Sequence, residues 1–308
     1  MLQKFVFGML SVASLASINA QEVDGFKDFI APVSNPVYFE SALHTTEIRT
    51  IVIKQDIHES IPTVLGRTKL GGTLMLYAVQ ARYQIDERLS LIATKDGYAD
   101  LDFDNSLKDK SGFADLSLGL KYSPIIDHDA QFALTIGGRL EIPTGDDEVF
   151  QGAGDGIVNP FVSIAKGYGN IHLAAYEGLR VPLNTDDQAT INDFSLHVDY
   201  KIGSFYPLAE FNWRHVLASG NGGENTVDVI GVADGIPLDT ANPNIEGVDI
   251  SSLGTSDAQG QNYTNFALGF RYKFNDAMNM GCTWESPLSD NDEGIFDERY
   301  TVDFIYSF

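Results

Sequence analysis

Every second residue from Tyr300 onward is large and apolar: Tyr300, Val302, Phe304, Tyr306 and Phe308. Between them stand Thr301, Asp303, Ile305 and Ser307, so one face is oily and the other mostly polar. Side chains that repeat with period two belong to a β-strand. Elsewhere Leu116, Leu118, Leu120 and Tyr122 alternate with Asp115, Ser117, Gly119 and Lys121. Phe132, Leu134, Ile136 and Leu140 alternate with Thr135, Gly137, Arg139 and Glu141. Phe194, Leu196, Val198 and Tyr200 alternate with Ser195, His197, Asp199 and Lys201. Phe266, Leu268, Phe270 and Tyr272, then Met278, Met280, Cys282 and Trp284, continue the apolar set. The pattern predicts an all-β chain.

Strands are expected at 44–57, 72–84, 88–96, 113–123, 129–142, 158–166, 170–181, 193–202, 206–217, 262–273, 277–286 and 298–308. That makes about twelve strands of roughly 9–14 residues, the length of tilted membrane-crossing strands. Short turns alternate with longer connections at 58–71, 97–112, 143–157, 182–192, 218–261 and 287–297. After residue 20 no apolar run approaches the ~18–20 residues of a spanning helix. In a membrane such a sheet must close, because hydrocarbon offers an open edge no partner. The expected fold is therefore a transmembrane antiparallel β-barrel with short periplasmic turns and long outer loops. A secreted β-sandwich could hold as many strands, but nothing would make it sort its loops this way. Strand 170–181 fits least well, because His172 and Glu177 have opposite parity.

At the other terminus Lys4 precedes an apolar stretch and then Ser17-Ile18-Asn19-Ala20. This reads as a secretory signal peptide over 1–20. Residues 21–43 then form a periplasmic or luminal arm, and 44–308 the outer-membrane barrel. A final aromatic strand resembles the targeting signal of Gram-negative outer-membrane barrels. The expected partners are outer-membrane lipid, the barrel-assembly machinery and a small-molecule solute. A net charge of −23 argues against nucleic acid. The single cysteine, Cys282, rules out an internal disulfide framework and a thiolate metal cluster. No cofactor or metal is expected.

Tyr83, Tyr122, Tyr200 and Tyr272 each stand near a strand end just before a short turn, and Phe308 holds the same place in the last strand. They predict an aromatic girdle at the periplasmic interface. Beside them, pointing the other way, lie Arg82, Lys121, Lys201, Arg271 and Lys273, a candidate charge ring able to draw anions through the lumen. Asp115, Arg139, Glu141, Glu210, Arg214 and Glu285 are candidates higher in the lumen. Inward carboxylates, including Asp199 and Asp303, could instead pair with the ring across neighbouring strands, and the two roles can coexist. The acidic, Gly-rich loop 145–156 has hard-cation ligands but no calcium-loop spacing, so it reads as a solvated loop. Segment 218–261 has acids but no Lys or Arg, and long loops of this kind carry function or cap an opening. Ser195 and His197 share a luminal face, and His215 and Ser219 lie near a rim. No nucleophile elbow accompanies either pair, so an enzyme is not expected.

One set of short blocks occurs in a recognisable order: Asn35-Pro36 with Phe39-Glu40, then 78–83, 95–98, 112–115, 119–122, 141–145 and 152–156. It resembles the meta-pathway phenol degradation family of outer-membrane proteins, a group loosely related to long-chain fatty-acid transport barrels. The likeness covers most of 35–160, while the C-terminal half matches by strand pattern only. It implies a barrel that passes small, often hydrophobic or aromatic compounds, and it brings no functional residues with it. The expected function is a channel for passive uptake or efflux. The alternatives are a non-conducting barrel whose acidic outer loops bind a partner, and the soluble sandwich as a binding protein.

Overall fold

The computed structural model describes residues 24–63, 66–152, 154–220, 226–228, 230, 236–237, 259–289 and 296–308. The signal-peptide segment and most of 218–261 lie outside the described residues. The strands in chain order are β1 (Glu47–Ile57), β2 (Ser60–Thr63), β3 (Gly66–Lys69), β4 (Thr73–Gln84), β5 (Leu89–Lys95) and β6 (Tyr98–Asp102). Next come β7 (Lys110–Phe113), β8 (Leu116–Asp127), β9 (Phe132–Ile142), β10 (Ile157–Tyr168), β11 (Ile171–Pro182) and β12 (Thr190–Tyr200). The last six are β13 (Phe205–Ala218), β14 (Thr226–Val227), β15 (Ile236–Pro237), β16 (Asn262–Lys273), β17 (Met278–Pro287) and β18 (Phe296–Ser307).

Every pairing among the described residues is antiparallel, and β1 pairs with both β18 and β4, so the sheet closes on itself. The wall has 12 staves. Two of them are broken: β5 and β6 both pair with β4, while β7 and β8 continue each other. Short pairs β2–β3 and β14–β15 stand apart from the wall.

Three expectations about strand ends need correction. The connection expected at 97–112 is largely wall, because β6 and β7 extend it. The period fails there because both Thr94 and Lys95 are buried, and the Asp96 carboxylate replaces a ladder bond by accepting the Val79 N–H at 3.0 Å. The stave expected to turn at Pro124 runs on to Asp127, with the pairing skipping between Tyr122 and Ile125. A bulge tolerates a residue that has no N–H. The connection at 58–71 contains the β2–β3 pair.

The outer face is the predicted apolar belt. Leu118, Ile136, Leu140, Leu196, Leu268 and Val302 are exposed, while their alternate neighbours Ser117, Thr135, Arg139, Ser195, Arg271 and Thr301 are buried. Such a belt on a closed sheet makes the chain an outer-membrane barrel. Parity on β11 resolves with His172 inward and Glu177 outward. Glu177 pairs with Val162 and Phe194, which makes it a carboxylate inside the belt.

One part of the interior is apolar rather than polar. Ile51, Ile53, Leu74, Leu76, Ala99 and Leu101 point inward and pack with Val149 and Phe150. The loop expected to be solvated therefore folds inward. Asp115 Oδ1 accepts the N–H groups of Gly145 and Gly152 at 2.8 and 2.9 Å, which fixes the loop over the cluster.

A charge placed on the belt should be expensive. Leu118→Arg is expected to destabilise the barrel by about 2–4 kcal/mol in a urea titration in lipid vesicles. Glu177→Leu, in the same titration, is expected to be neutral or stabilising.

Candidate functional site: a lumen threaded by the N-terminal arm

Residues 24–46 contain no strand, yet Phe29, Val33, Ser34, Tyr38, Phe39, Glu40 and Ala42 are all buried. They lie inside the barrel. The sequence suits this: Pro32 and Pro36 lack N–H donors and disfavour regular ladders, while the carbonyls stay free to accept. The segment enters at the end that carries the short turns. There Gln131 donates to the Gly25 carbonyl at 3.0 Å, and Lys273 donates to the carbonyls of Lys27 and Phe29 at 2.8 and 3.0 Å. It climbs to a bend at Asn35–Tyr38, where Gln80 donates to the Pro36 carbonyl and Arg139 to those of Val37 and Tyr38. It returns past Ala42, whose carbonyl accepts from Thr135, to Thr46, whose hydroxyl accepts the Gln84 N–H.

The five bases of the expected ring all face inward, and each meets the arm. Arg82 donates to both oxygens of Glu40, at 2.8 Å from Nη2, and lies 3.3 Å from Glu47. Lys121 places its three hydrogens on Glu40 at 2.7 Å and on the carbonyls of Ser41 and Leu43 at 2.9 and 2.6 Å. Lys201 pairs with Asp28 at 2.5 Å. Arg271 grips Asp303 with two nitrogens, both at 2.8 Å, and donates to the Ala31 carbonyl at 3.1 Å. The arm, more than the neighbouring strands, supplies the ring's partners. Burial by itself would raise the Glu40 pKa; Arg82 and then Lys121 overcome it and hold the carboxyl well below the usual carboxylate range. Burial, helped by Lys121, pushes His44 down to about 3. Its neutral ring bridges the hydroxyls of Ser90 and Ser123 at 2.7 and 2.6 Å.

Higher in the lumen, Glu210 accepts the N–H groups of Val33 and Ser34 at 2.9 and 2.6 Å. It also meets His197 Nδ1 at 2.6 Å, while His197 Nε2 meets Asp199, whose other oxygen meets His172. Both His197 nitrogens face carboxylates, and Ser195 donates to Asn212, so Ser195 and His197 do not form a nucleophile–base pair. Arg139 lies 4.7 Å from the Phe161 ring and 5.7 Å from that of Tyr176. Gly137 makes that stack fit, because a Cβ there would lie 2.2 Å from the Phe161 ring. Arg180 and Arg214 flank the Tyr38 ring at 4.6 and 5.4 Å. Arg214 pairs with Asp193 at 2.7 Å, Arg299 with Glu285 at 3.4 Å, and Lys95 with Glu141 at 2.5 Å and Asp115 at 3.9 Å. His215 stands apart from all of these, stacked on Trp213 on the outward face.

The residues expected to form a girdle, Tyr83, Tyr122, Tyr200, Tyr272 and Phe308, are all exposed on the outer face. Tyr168, Phe205, Phe274 and Tyr306 join them there. Sequence reasoning named none of Glu40, Arg49, Arg180 and Arg299 as lumen residues. Glu40 stands in a segment without strand parity, so nothing in the pattern marked it as inward. The other three are basic residues at inward parity, and that signal was readable in their strands.

The fold is similar to that of an outer membrane channel from Pseudomonas putida F1, with a TM-score of 0.59 and 15% identity over 91% of this chain and 100% of that one. It is also similar to the NanC porin (TM-score 0.45, 7% identity, 85% of this chain and 100% of that one) and the KdgM porin (TM-score 0.44, 10% identity, 85% and 99%). No family model matches the chain. No curated protein matches it either.

Removing one partner of a buried ion pair leaves the other charge exposed to the full desolvation cost. Glu40→Gln is therefore expected to loosen the arm by about 3 kcal/mol. Hydrogen exchange over residues 24–46 should speed up on the order of 100-fold, with the β16–β17 hairpin unchanged.

Proposed function

We propose that this chain is an outer-membrane channel for passive passage of small solutes, closed at rest by its own luminal arm. One observation supports this reading above the others. The arm is held by ion pairs and carbonyl hydrogen bonds and has no strand pairing with the wall. Contacts of this kind can be exchanged for water one by one, whereas a ladder must come apart as a unit. With the arm withdrawn, Arg82, Lys121, Lys201, Arg271 and Lys273 would line the path near the turn end. Asp115, Arg139, Glu141, Glu210, Arg214 and Glu285 would line it above, and together they would set charge preference. The solved outer membrane channel shares the fold, and we extend its role to this chain. The family resemblance adds small hydrophobic or aromatic compounds as cargo. Phe29, Tyr38, Phe39, Phe161 and Tyr176, all buried in the lumen, are consistent with that class.

A second reading is a non-conducting barrel whose outer loops bind a partner. The inward apolar cluster closed over by Val149 and Phe150 favours it, since greasy packing near the loop end does not yield readily to water.

Planar-bilayer recording separates the two. Wild-type protein is expected to be closed most of the time, and Glu40→Gln to raise the open fraction about tenfold or more, in line with the energy of a buried ion pair. Steady wild-type conductance unaltered in Glu40→Gln would remove the arm from the mechanism. Silence from both proteins would favour the non-conducting barrel.

A further inference from the structure

A cavity of about 380 Å³ opens at the turn end, between the two limbs of the arm and the wall. Phe29, Ile30, Phe39, Ala42 and Ile305 form its apolar part, while Glu47, Arg82, Lys273 and the Lys27–Asp276 pair line the rest. Arg49 lines it as well and is 1% exposed. Arg49 already contacts Asp303 and donates from Nη2 to the Pro32 carbonyl at 2.8 Å. Its Nε–H has no hydrogen-bond partner among the described residues.

The charge around it does not balance. The buried cluster at this level holds four cations, Arg49, Arg82, Lys121 and Arg271, and three carboxylates, Glu40, Glu47 and Asp303. Glu40 and Glu47 serve Arg82 and Lys121, which leaves Asp303 shared by two guanidiniums. Across the arm, Asp199 and Glu210 are engaged by imidazoles and backbone N–H groups. A surplus buried cation beside an unmatched donor is costly, and an incoming anion removes the cost. A largely apolar cavity of this size with a few convergent polar groups, among them the unmatched Nε–H of Arg49, has the make-up of a small-ligand site.

We propose that this cavity binds a small organic monoanion, a carboxylate with an apolar body, from the turn end of the barrel. The carboxylate accepts from Arg49 and the body packs between Phe29 and Phe39. The inference deepens the channel reading, because such a ligand would occupy the space between the limbs of the closing arm. Its test is independent of conductance.

The experiment is calorimetric titration of the whole protein in detergent micelles at fixed ionic strength, with benzoate as the probe. Saturable one-site binding of benzoate is expected, with benzamide, the neutral isostere, weaker by about tenfold or more. Arg49→Gln should weaken benzoate by a similar factor. Ser307→Trp, which fills the rim of the cavity, should abolish binding in a barrel that stays folded by heat-modifiable gel mobility. Equal affinity for benzoate and benzamide would overturn the proposal, and so would full benzoate affinity in Ser307→Trp. Displacement of benzoate by equimolar chloride would overturn the role of the apolar body. If Arg49→Gln does not fold, the benzoate–benzamide ratio and Ser307→Trp decide the matter. Benzoate binding in a protein that never conducts would leave this site standing and sink the channel reading alone.

Discussion

Hydrocarbon cannot hydrogen-bond a peptide group, and each feature of this barrel follows from that restriction. The sheet has to meet itself, so β1 pairs on both sides, with β18 and with β4. Once closed, the wall fixes every side chain as lipid-facing or luminal by parity alone. Lipid takes Leu, Ile, Val and the aromatic residues, which concentrates polar and charged side chains inside. A barrel of this size would then hold a dense set of unmatched donors. The arm resolves this by bringing a run of carbonyls, with Glu40 and Asp28, into the same space.

The belt and the lumen therefore obey different rules. In the belt, each position needs only to be greasy, and exchanges among Leu, Ile, Val and Phe leave the fold intact. In the lumen, groups are satisfied in specific geometries: three acceptors around Lys121, a forked grip on Asp303, and rings beneath Arg139 and beside Arg180 and Arg214. Removing one member strands its neighbours. The apolar cluster near the loop end is a third regime, closer to the core of a soluble protein, and it holds the outer connection 144–152 in place.

Most of the wall was legible because a period of two survives without tertiary information. Strand 262–273 declared both its faces and its ends, while 113–123 declared its faces only. The pattern failed where a side chain replaced a ladder bond, as Asp96 does for Val79, or where a bulge let Pro124 into a strand. In both places the hydrogen bond, not the hydropathy, decides the conformation. Inward direction was also legible for the bases: Arg82, Lys121, Lys201, Arg271 and Lys273 all point into the barrel. Their partners were not. Glu40 and Asp28 belong to a segment with no repeating pattern, and pairing across forty or more residues leaves no local trace. The inward turn of 145–152 was hidden for a similar reason. Its acids and glycines look solvated, while two apolar residues, Val149 and Phe150, anchor it.

The wall holds the arm chiefly by main-chain oxygens: those of Lys27, Phe29, Ala31, Pro32, Pro36, Val37, Tyr38, Ser41, Ala42 and Leu43. A trough that recognises carbonyls reads the shape of a peptide rather than its letters. Many substitutions in the threaded segment can therefore be accepted without matching changes in the cylinder. The two parts of the molecule can diverge at different speeds, the scaffold constrained at nearly every inward position and the tether constrained at only a few.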